Sequence, residues 1–409
     1  MVMAVLKEST KEIIRSTAPV LEQEGERITS LFYKKMFQDH PELLNIFNQT
    51  NQKQGKQPRA LAGTLYAAAV NIDRLESLLP AIRQIAHKHR SLNVKPEHYP
   101  IVGKYLLMAM REVLQDSPDI DDIIEAWEET YGVVAKVFID TEAAMYAEAE
   151  EKIGGWRGFR EFTVIKKEQE SRVITSFYLK PADEGPLASF EPGQYISVQV
   201  MPDYSKPAHM RQYSLSDSPD KDYYRISVKK EEGMQGHEDG VVSNYLHEKI
   251  EAGDTLNLTA PAGSFTLKEN SDRPLVLIAG GVGLTPLVSM LNTSSVRNPD
   301  RPVTFVAAAK SGELHAMDDH VRSMAEGSSS VRYAVCYETP SVEDRRHPNL
   351  LKEGLVDEEL LSDAVPDKDA EYYFCGPVPF LRKVNGILRD WGIPESRINF
   401  EFFGPSQSI

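Results

Sequence analysis

Through the first 150 residues, apolar side chains recur every three to four positions, the spacing of helices that each bury one face. Ala, Leu, Ile and Glu dominate there and β-branched alternation is absent. Pro19 opens one predicted helix, through LEQEGERITSLFYKKMF, and Pro41 a short one ending at Phe47. Pro58 opens another after the polar loop NQTNQKQGKQ, and Pro96 the next. In a first turn the missing proline N–H has no helical partner to lose. The last helix of the region begins near Asp121. The texture then changes. Residues 151–156, in a stretch with Gly154, Gly155 and Gly158, read as a linker. FTVIKKE, VITSFYLK, QYISVQV, YYRISVKK and TLNLTAP follow as strands divided by short Gly, Pro and Asp turns, which predicts a small antiparallel β-barrel over 157–268. From 269 to 409, PLVLIAGGVGLTPLVSMLN, PVTFVAAA, RYAVCYE and EYYFCGP are buried strands alternating with helices, a doubly wound α/β domain. The predicted fold class is multidomain: all-α over 1–150, then barrel, then α/β.

Three polar residues break the apolar stripes. Ile82, Ile85, Ala86 and His89 fall at i, i+3, i+4 and i+7, so His89 completes a core face, while His87 lies opposite with Arg83, Gln84 and Ser91. His98 is expected to be solvated. Tyr99 begins the stripe Val102, Leu106, Ala109, Val113, and Glu142 extends the stripe Ile124, Trp127, Tyr131, Val134, Phe138. A buried carboxylate demands hydrogen bonds. Two readings stand: a mutually satisfying His89–Tyr99–Glu142 cluster, or a Glu142 in water at a frayed helix end.

Composition narrows the chemistry. The chain has 409 residues and a net charge of −15, and no basic field for nucleic acid or an anionic membrane. Two cysteines, Cys336 and Cys375, exclude a four-cysteine iron–sulfur or zinc site, and there is no CxxCH for covalent haem. The N-terminal apolar run is too short for a signal peptide, and no window approaches the roughly 20 apolar residues that span a bilayer. A cytoplasmic protein is expected.

Gly280, Gly281, Val282, Gly283, Leu284, Thr285 and Pro286 follow a buried strand and open a helix, so main-chain N–H groups can approach a pyrophosphate there. In the barrel, Arg211 suits a phosphate, Tyr213 points the same way and can cover a flat ring, and Ser214 can donate to a ring nitrogen. Gly240–Asn244 offers a second phosphate cradle before a helix.

Taken in order, RQYS, GVVSNYL, AGGVGLTP and YYFCGP resemble the ferredoxin-NADP reductase-like family over residues 157–409. The resemblance implies FAD on the barrel, held by Tyr195, Arg211, Gln212, Tyr213, Ser214, Val242 and Ser243. The C-terminal Phe402, Phe403, Gly404 and Pro405 would complete that site, with Phe403 as an aromatic lid. It implies NAD(P)H at Gly281, Val282, Gly283, Leu284, Thr285 and Pro286, with Cys375, Gly376 and Pro377 near the nicotinamide. The loop around His237, before GVVS, is longer than the pattern leads one to expect.

Such a reductase needs an electron acceptor. LFYKKMF, ELLNIFN, IAHKH, KPEHYPIVG and AWEETYGVVAKVFI resemble the globin domain of bacterial flavohaemoglobins, and the chain matches that family end to end. The resemblance implies haem b, with His89 as proximal iron ligand backed by Tyr99 and Glu142. Tyr33, Phe47, Gln57 and Leu61 would form the distal side, and Lys88 and Glu401 would tune haem–flavin electron transfer. From its own helix alone Tyr33 reads equally as a packing or exposed residue, since Leu31 and Phe32 compete for the core face. The implied activity is nitric oxide dioxygenation: NAD(P)H reduces FAD, FAD reduces haem iron, and O2 and NO become nitrate. An O2 sensor or store with its own haem reductase, or a flavin reductase for ferric or quinone acceptors, are the alternatives. A monomer with no nucleic-acid partner and no stable membrane association is expected, although a lipid could enter the haem pocket. Lys310 and Ser311 leave NADH and NADPH undistinguished.

Overall fold

The computed structural model describes residues 6–47, 52, 55–203, 207–233 and 239–404, so His237 and Pro405 lie outside the described residues. The chain forms two compact units, residues 1–151 with 201–211, and 152–200 with 212–404.

The first unit is built from α1 (Glu8–Ser16), α2 (Ala18–Asp39), α3 (Lys56–Val70), α4 (Leu79–Ser91), α5 (His98–Val113) and α6 (Ile120–Glu151). The prolines mark helix starts within two residues: Pro58 sits inside the first turn of α3, and Pro96 in the turn that precedes α5. Pro41 opens a 3-10 turn, Pro41–Asn45, rather than an α-helix. α2 packs on both α3 and α5, α4 packs on α6, and α1 packs on α6. One apolar cluster holds Ile14, Ile28, Phe32, Tyr33, Met36 and Trp127, and a second holds Ile82, Ala86, Tyr99 and Phe138. No helix among the described residues is long and apolar enough to cross a membrane.

Residues 160–401 carry two six-stranded sheets. The antiparallel one contains β1 (Arg160–Gln169), β2 (Ile174–Pro181), β3 (Tyr195–Val200), β4 (His209–Ser214), β5 (Tyr224–Lys229) and β6 (Thr255–Leu258), in the order β4-β3-β6-β1-β2-β5, with α7 (Val241–Lys249) beside it. Its inward residues, among them Phe162, Phe177, Ile196, Ile226 and Leu258, are fully buried.

The parallel sheet contains β7 (Leu275–Gly280), β8 (Val303–Ala309), β9 (Val331–Tyr337), β10 (Leu350–Glu353), β11 (Glu371–Cys375) and β12 (Ile398–Glu401), in the order β10-β9-β8-β7-β11-β12. The helices α8 (Leu284–Arg297), α9 (Asp318–Gly327), α10 (Glu358–Ala364) and α11 (Val378–Asp390) connect its strands. Every residue of β7 and β11 is buried, which suits the apolar run of β7 and the aromatic run that follows Glu371 in β11. The edge strands β10 and β12 are four residues long and half exposed, so they leave no such signature in the sequence.

Candidate functional site

Three helices bring the polar stripe residues of the first unit together. α4 ends in a Schellman turn: Val94 N–H donates to the His89 carbonyl and Asn93 N–H to that of Arg90, each at 3.0 Å, with Asn93 at φ 58°. This fixes the backbone of His89 in the last turn. Glu142 lies nine residues before the end of α6 and is 3% exposed, so it is buried in mid-helix and the frayed-end reading falls. Its Oε1 accepts from the Tyr99 hydroxyl at 2.6 Å and lies 2.8 Å from His89 Nδ1, which is 3.2 Å from the Tyr99 oxygen.

The proton inventory follows from these distances. Burial and the Glu142 carboxylate push the Tyr99 phenol well above its ordinary value, so Tyr99 remains a donor. Nδ1 faces a carboxylate and must therefore carry the imidazole proton, which leaves the lone pair on Nε2. The supports are also specific. Tyr131 donates to the Tyr99 carbonyl at 2.7 Å, and Tyr146 donates to that of Val94 at 2.8 Å. Gly103 makes room for Tyr131, because a Cβ there would stand 2.5 Å from its ring. Phe138 lies beside His89, ring centroids 5.5 Å apart. His87 is half-buried; burial, reinforced by Arg90, pushes it down to about 4. His98 is half-buried too, its Nδ1 accepting from Lys95 N–H at 3.1 Å.

Tyr33 is buried on α2, against Phe37 and Phe47 with centroids 5.7 and 5.6 Å away, so it is not an exposed tyrosine. Burial raises its phenol, and the adjacent amides of Gln52 and Gln57 oppose that rise. Gln52 Nε2 is buried and finds no aligned hydrogen-bond partner among the described residues. Sequence reasoning missed Gln52, since one amide in the polar loop carries no distinguishing signal. Phe47 and Leu61 are half-buried against the same cluster. Lys88 is half-buried beside His89.

On the antiparallel sheet, Tyr195 exchanges main-chain hydrogen bonds of 2.8 Å with Ala262. The next residue, Gly263, has φ 119°, and a Cβ on it would reach 2.9 Å from the Tyr195 ring. Arg211, Gln212 and Tyr213 are half-buried on β4 and Ser214 is buried. Arg211 Nη1 donates to the Met210 carbonyl at 2.7 Å. Val242 packs in the barrel core. The Ser243 hydroxyl donates to Gly240 O at 3.1 Å and accepts from Glu231 N–H at 3.2 Å. Those two side chains therefore serve the fold, and what α7 offers an anion is its N-terminal main chain.

The glycine turn lies where the strand order of the parallel sheet reverses. β7 has β8 on one side and β11 on the other, and the turns after β7 and β11 leave the same carboxyl edge, the crevice in which doubly wound folds bind ligands. The two turns nearly touch. A Cβ on Gly283 would stand 2.2 Å from the Cys375 carbonyl oxygen, and one on Gly376 would stand 3.1 Å from the Gly280 Cα. Gly281 takes φ 56° and faces open space. Val282 is half-buried, whereas Leu284, Thr285 and Pro286 are buried at the start of α8, the Thr285 hydroxyl donating to Val282 O at 3.1 Å. Cys375 is fully buried and burial pushes its thiol up, so it packs as a small apolar group. Pro377 precedes α11. Glu401 ends β12 and accepts from Phe402 N–H at 3.0 Å, Phe402 packs on the α/β core, and Phe403 is 47% exposed. A Cβ on Gly404 would collide with the Phe402 ring.

Comparison with known families follows the same division. Residues 30–138 match the globin family, 161–267 the oxidoreductase FAD-binding domain and 277–386 the oxidoreductase NAD-binding domain. A globin continuous with a flavin- and nicotinamide-type reductase defines the class. Flavohemoproteins of Halalkalibacterium halodurans and Bacillus subtilis are 56% and 50% identical, over 99% of this chain and 98% and 99% of theirs. The chain belongs to the flavohaemoprotein family. Among solved structures, a flavohemoglobin from Malassezia yamatoensis with bound FAD and heme superposes with a TM-score of 0.83 at 26% identity, covering 98% of this chain and all of that one. The FAD/NAD-binding domain of nitric oxide dioxygenase from Vibrio cholerae covers 61% of this chain and is itself covered completely, at 37% identity and TM-score 0.55.

Proposed function

We propose that the protein is an NAD(P)H-dependent nitric oxide dioxygenase of the cytoplasm, acting as a monomer on O2 and NO, with haem b, FAD and NAD(P)H as cofactors. Nucleic acid and stable membrane association have no part in it. The domain limits follow the same reading: globin over 1–150, linker over 151–156, FAD domain over 157–268 and NAD(P)H domain over 269–409.

The carrying observation is the His89–Tyr99–Glu142 cluster in a globin that is continuous with its own reductase. The donor set suits haem, because Nδ1 is engaged by a carboxylate and Nε2 is the nitrogen with a free lone pair. When bound, the three cofactors supply hydride donation, conversion to single electrons and O2 activation toward NO. The chain does the positioning. His89 would hold the haem iron through Nε2, while Glu142 holds its Nδ1 proton and orients the ring, which would make the imidazole a stronger donor. Tyr99 shares that carboxylate. Tyr33, with Gln57 beside it and Phe47 and Leu61 around it, would donate to a haem-bound ligand. Arg211 would bind the FAD phosphates and Gln212 would also hold FAD. Tyr195, Tyr213, Ser214 and Phe403 would line the flavin ring, and the main chain of Gly281–Pro286 would take the dinucleotide. Lys88 and Glu401 would tune transfer between haem and flavin. A store or sensor has no need of a dedicated reductase, which favours turnover. The assay is NO-dependent consumption of NAD(P)H and O2 with nitrate as product. Cofactor-loaded protein that forms no nitrate under NO and O2 would refute the proposal.

A further inference from the structure

Asp217, three residues beyond β4, is buried, and every one of its oxygens is engaged. Oδ1 accepts from Ser218 N–H at 2.8 Å and Asn292 Nδ2 at 2.7 Å, Oδ2 accepts from the Tyr223 hydroxyl at 2.9 Å and lies 3.5 Å from Arg225 Nη1, and the main-chain oxygen accepts from the Ser289 hydroxyl at 2.7 Å. Ser218, Tyr223 and Arg225 belong to the antiparallel domain, whereas Ser289 and Asn292 project from α8 of the parallel domain. The Asn292 amide has one possible orientation: the Asp217 carboxylate only accepts, so the NH2 group must face it, which leaves Oδ1 toward His320 Nε2 at 2.8 Å on α9. The elements joined are the functional ones. β4 ends in Arg211–Ser214, and α8 begins at the glycine turn.

We propose that Asp217 is a positioning residue for hydride transfer: its bonds to Ser289 and Asn292 fix β4 against α8 and so set the approach of the nicotinamide-bearing turn to the flavin-bearing strand. This rests on the cofactor assignments above. Hydride transfer depends steeply on donor–acceptor placement, and misplacement by about 1 Å can cost on the order of 100-fold in rate. A second bridge, Arg297 to Asp220 at 2.8 Å and to Glu269 at 2.8 Å, is partly exposed and screened by solvent, so it grips less firmly.

Replacing Asp217 itself would strand the buried Arg225 guanidinium, so the test is made from the α8 side. In full-length, haem- and FAD-loaded protein, Ser289→Ala/Asn292→Ala should keep FAD content and NADH dissociation constant within about twofold of wild type. Anaerobic flavin reduction by NADH should slow by at least about tenfold. The long-wavelength charge-transfer absorbance of the flavin–nicotinamide complex should weaken, and amide hydrogen exchange over 212–218 and 284–292 should rise. Arg297→Ala should leave the reduction rate within about twofold. Should the double variant fail to fold, Asn292→Ala alone should still lower the rate about threefold and weaken the charge-transfer band. Unchanged reduction with an unchanged band, or loss of rate and NADH affinity in equal measure, would overturn the role. A wild-type protein that binds no FAD, or whose flavin NAD(P)H does not reduce, would instead refute the cofactor assignments.

Discussion

In the helical unit the polar atoms that matter belong to side chains from three separate helices; at the ends of β7 and β11 they belong to the main chain. Glu142 and Tyr99 are buried, where each unmet hydrogen bond is expensive, and half-buried His89 meets them at the edge of the apolar cluster, so the three satisfy one another. The crevice proposed for the nucleotide is shaped by glycines whose absent side chains let two backbone turns approach, while the nearby Thr285 hydroxyl and Cys375 thiol are turned to the fold. One site should therefore fail when a functional group is removed, and the other when an atom is added.

The largest effect expected is on the side-chain site. His89→Ala should abolish haem binding, read as loss of the Soret band, while flavin absorbance persists; normal haem loading would remove His89 as ligand. Next is the main-chain site. Gly283→Ala forces a Cβ to 2.2 Å from a backbone oxygen and should cut NAD(P)H-driven flavin reduction by about 100-fold or more, with haem and FAD retained. An unaffected rate would mean that the close approach of the turns is dispensable.

Acid sharpens the comparison through a histidine of the α/β domain. His315 is buried, with Nδ1 3.0 Å from the Tyr337 hydroxyl and Nε2 3.3 Å from that of Tyr333, and burial pushes it down to about 4. Its folded-state value lies below the unfolded one, so the neutral ring contributes fully above about pH 6.5 and its contribution is lost as pH falls toward 4. On the order of 3 kcal/mol of stability should disappear across that window. Urea unfolding at both ends, with His315→Asn as control, measures it; a pH-independent midpoint would contradict the assignment. Tyr33→Phe should speed O2 dissociation about tenfold, the equivalent of one hydrogen bond of roughly 1.4 kcal/mol. An unchanged off-rate would take Tyr33 out of the distal site. The smallest effect belongs to Gly281→Ala. A Cβ there meets no protein atom, but φ 56° is strained for alanine, so about 1 kcal/mol of stability should be lost, read as a lowered urea midpoint.

By itself the sequence determined the periodicities, and with them the order of an all-α, an antiparallel and a parallel domain, the faces that carry His89, Tyr99 and Glu142, and the glycine turn after β7. These follow from local spacing, because 3.6 residues per turn or two per pleat decide which side chains share a face. Tertiary structure decided what covers each face. Leu31, Phe32 and Tyr33 could not be ranked from α2 alone; α2 lies between α3 and α5, so both Phe32 and Tyr33 are buried. Glu142 could have stood at a frayed end until α6 was seen to continue to Glu151. Gln52 beside Tyr33, the half-burial of His87 and His98, the four-residue edge strands and the Asp217 junction between β4 and α8 left no mark in any window of sequence. Each depends on a partner far away in the chain, such as Asn292, 75 residues from Asp217, and no local pattern encodes which distant donor will arrive.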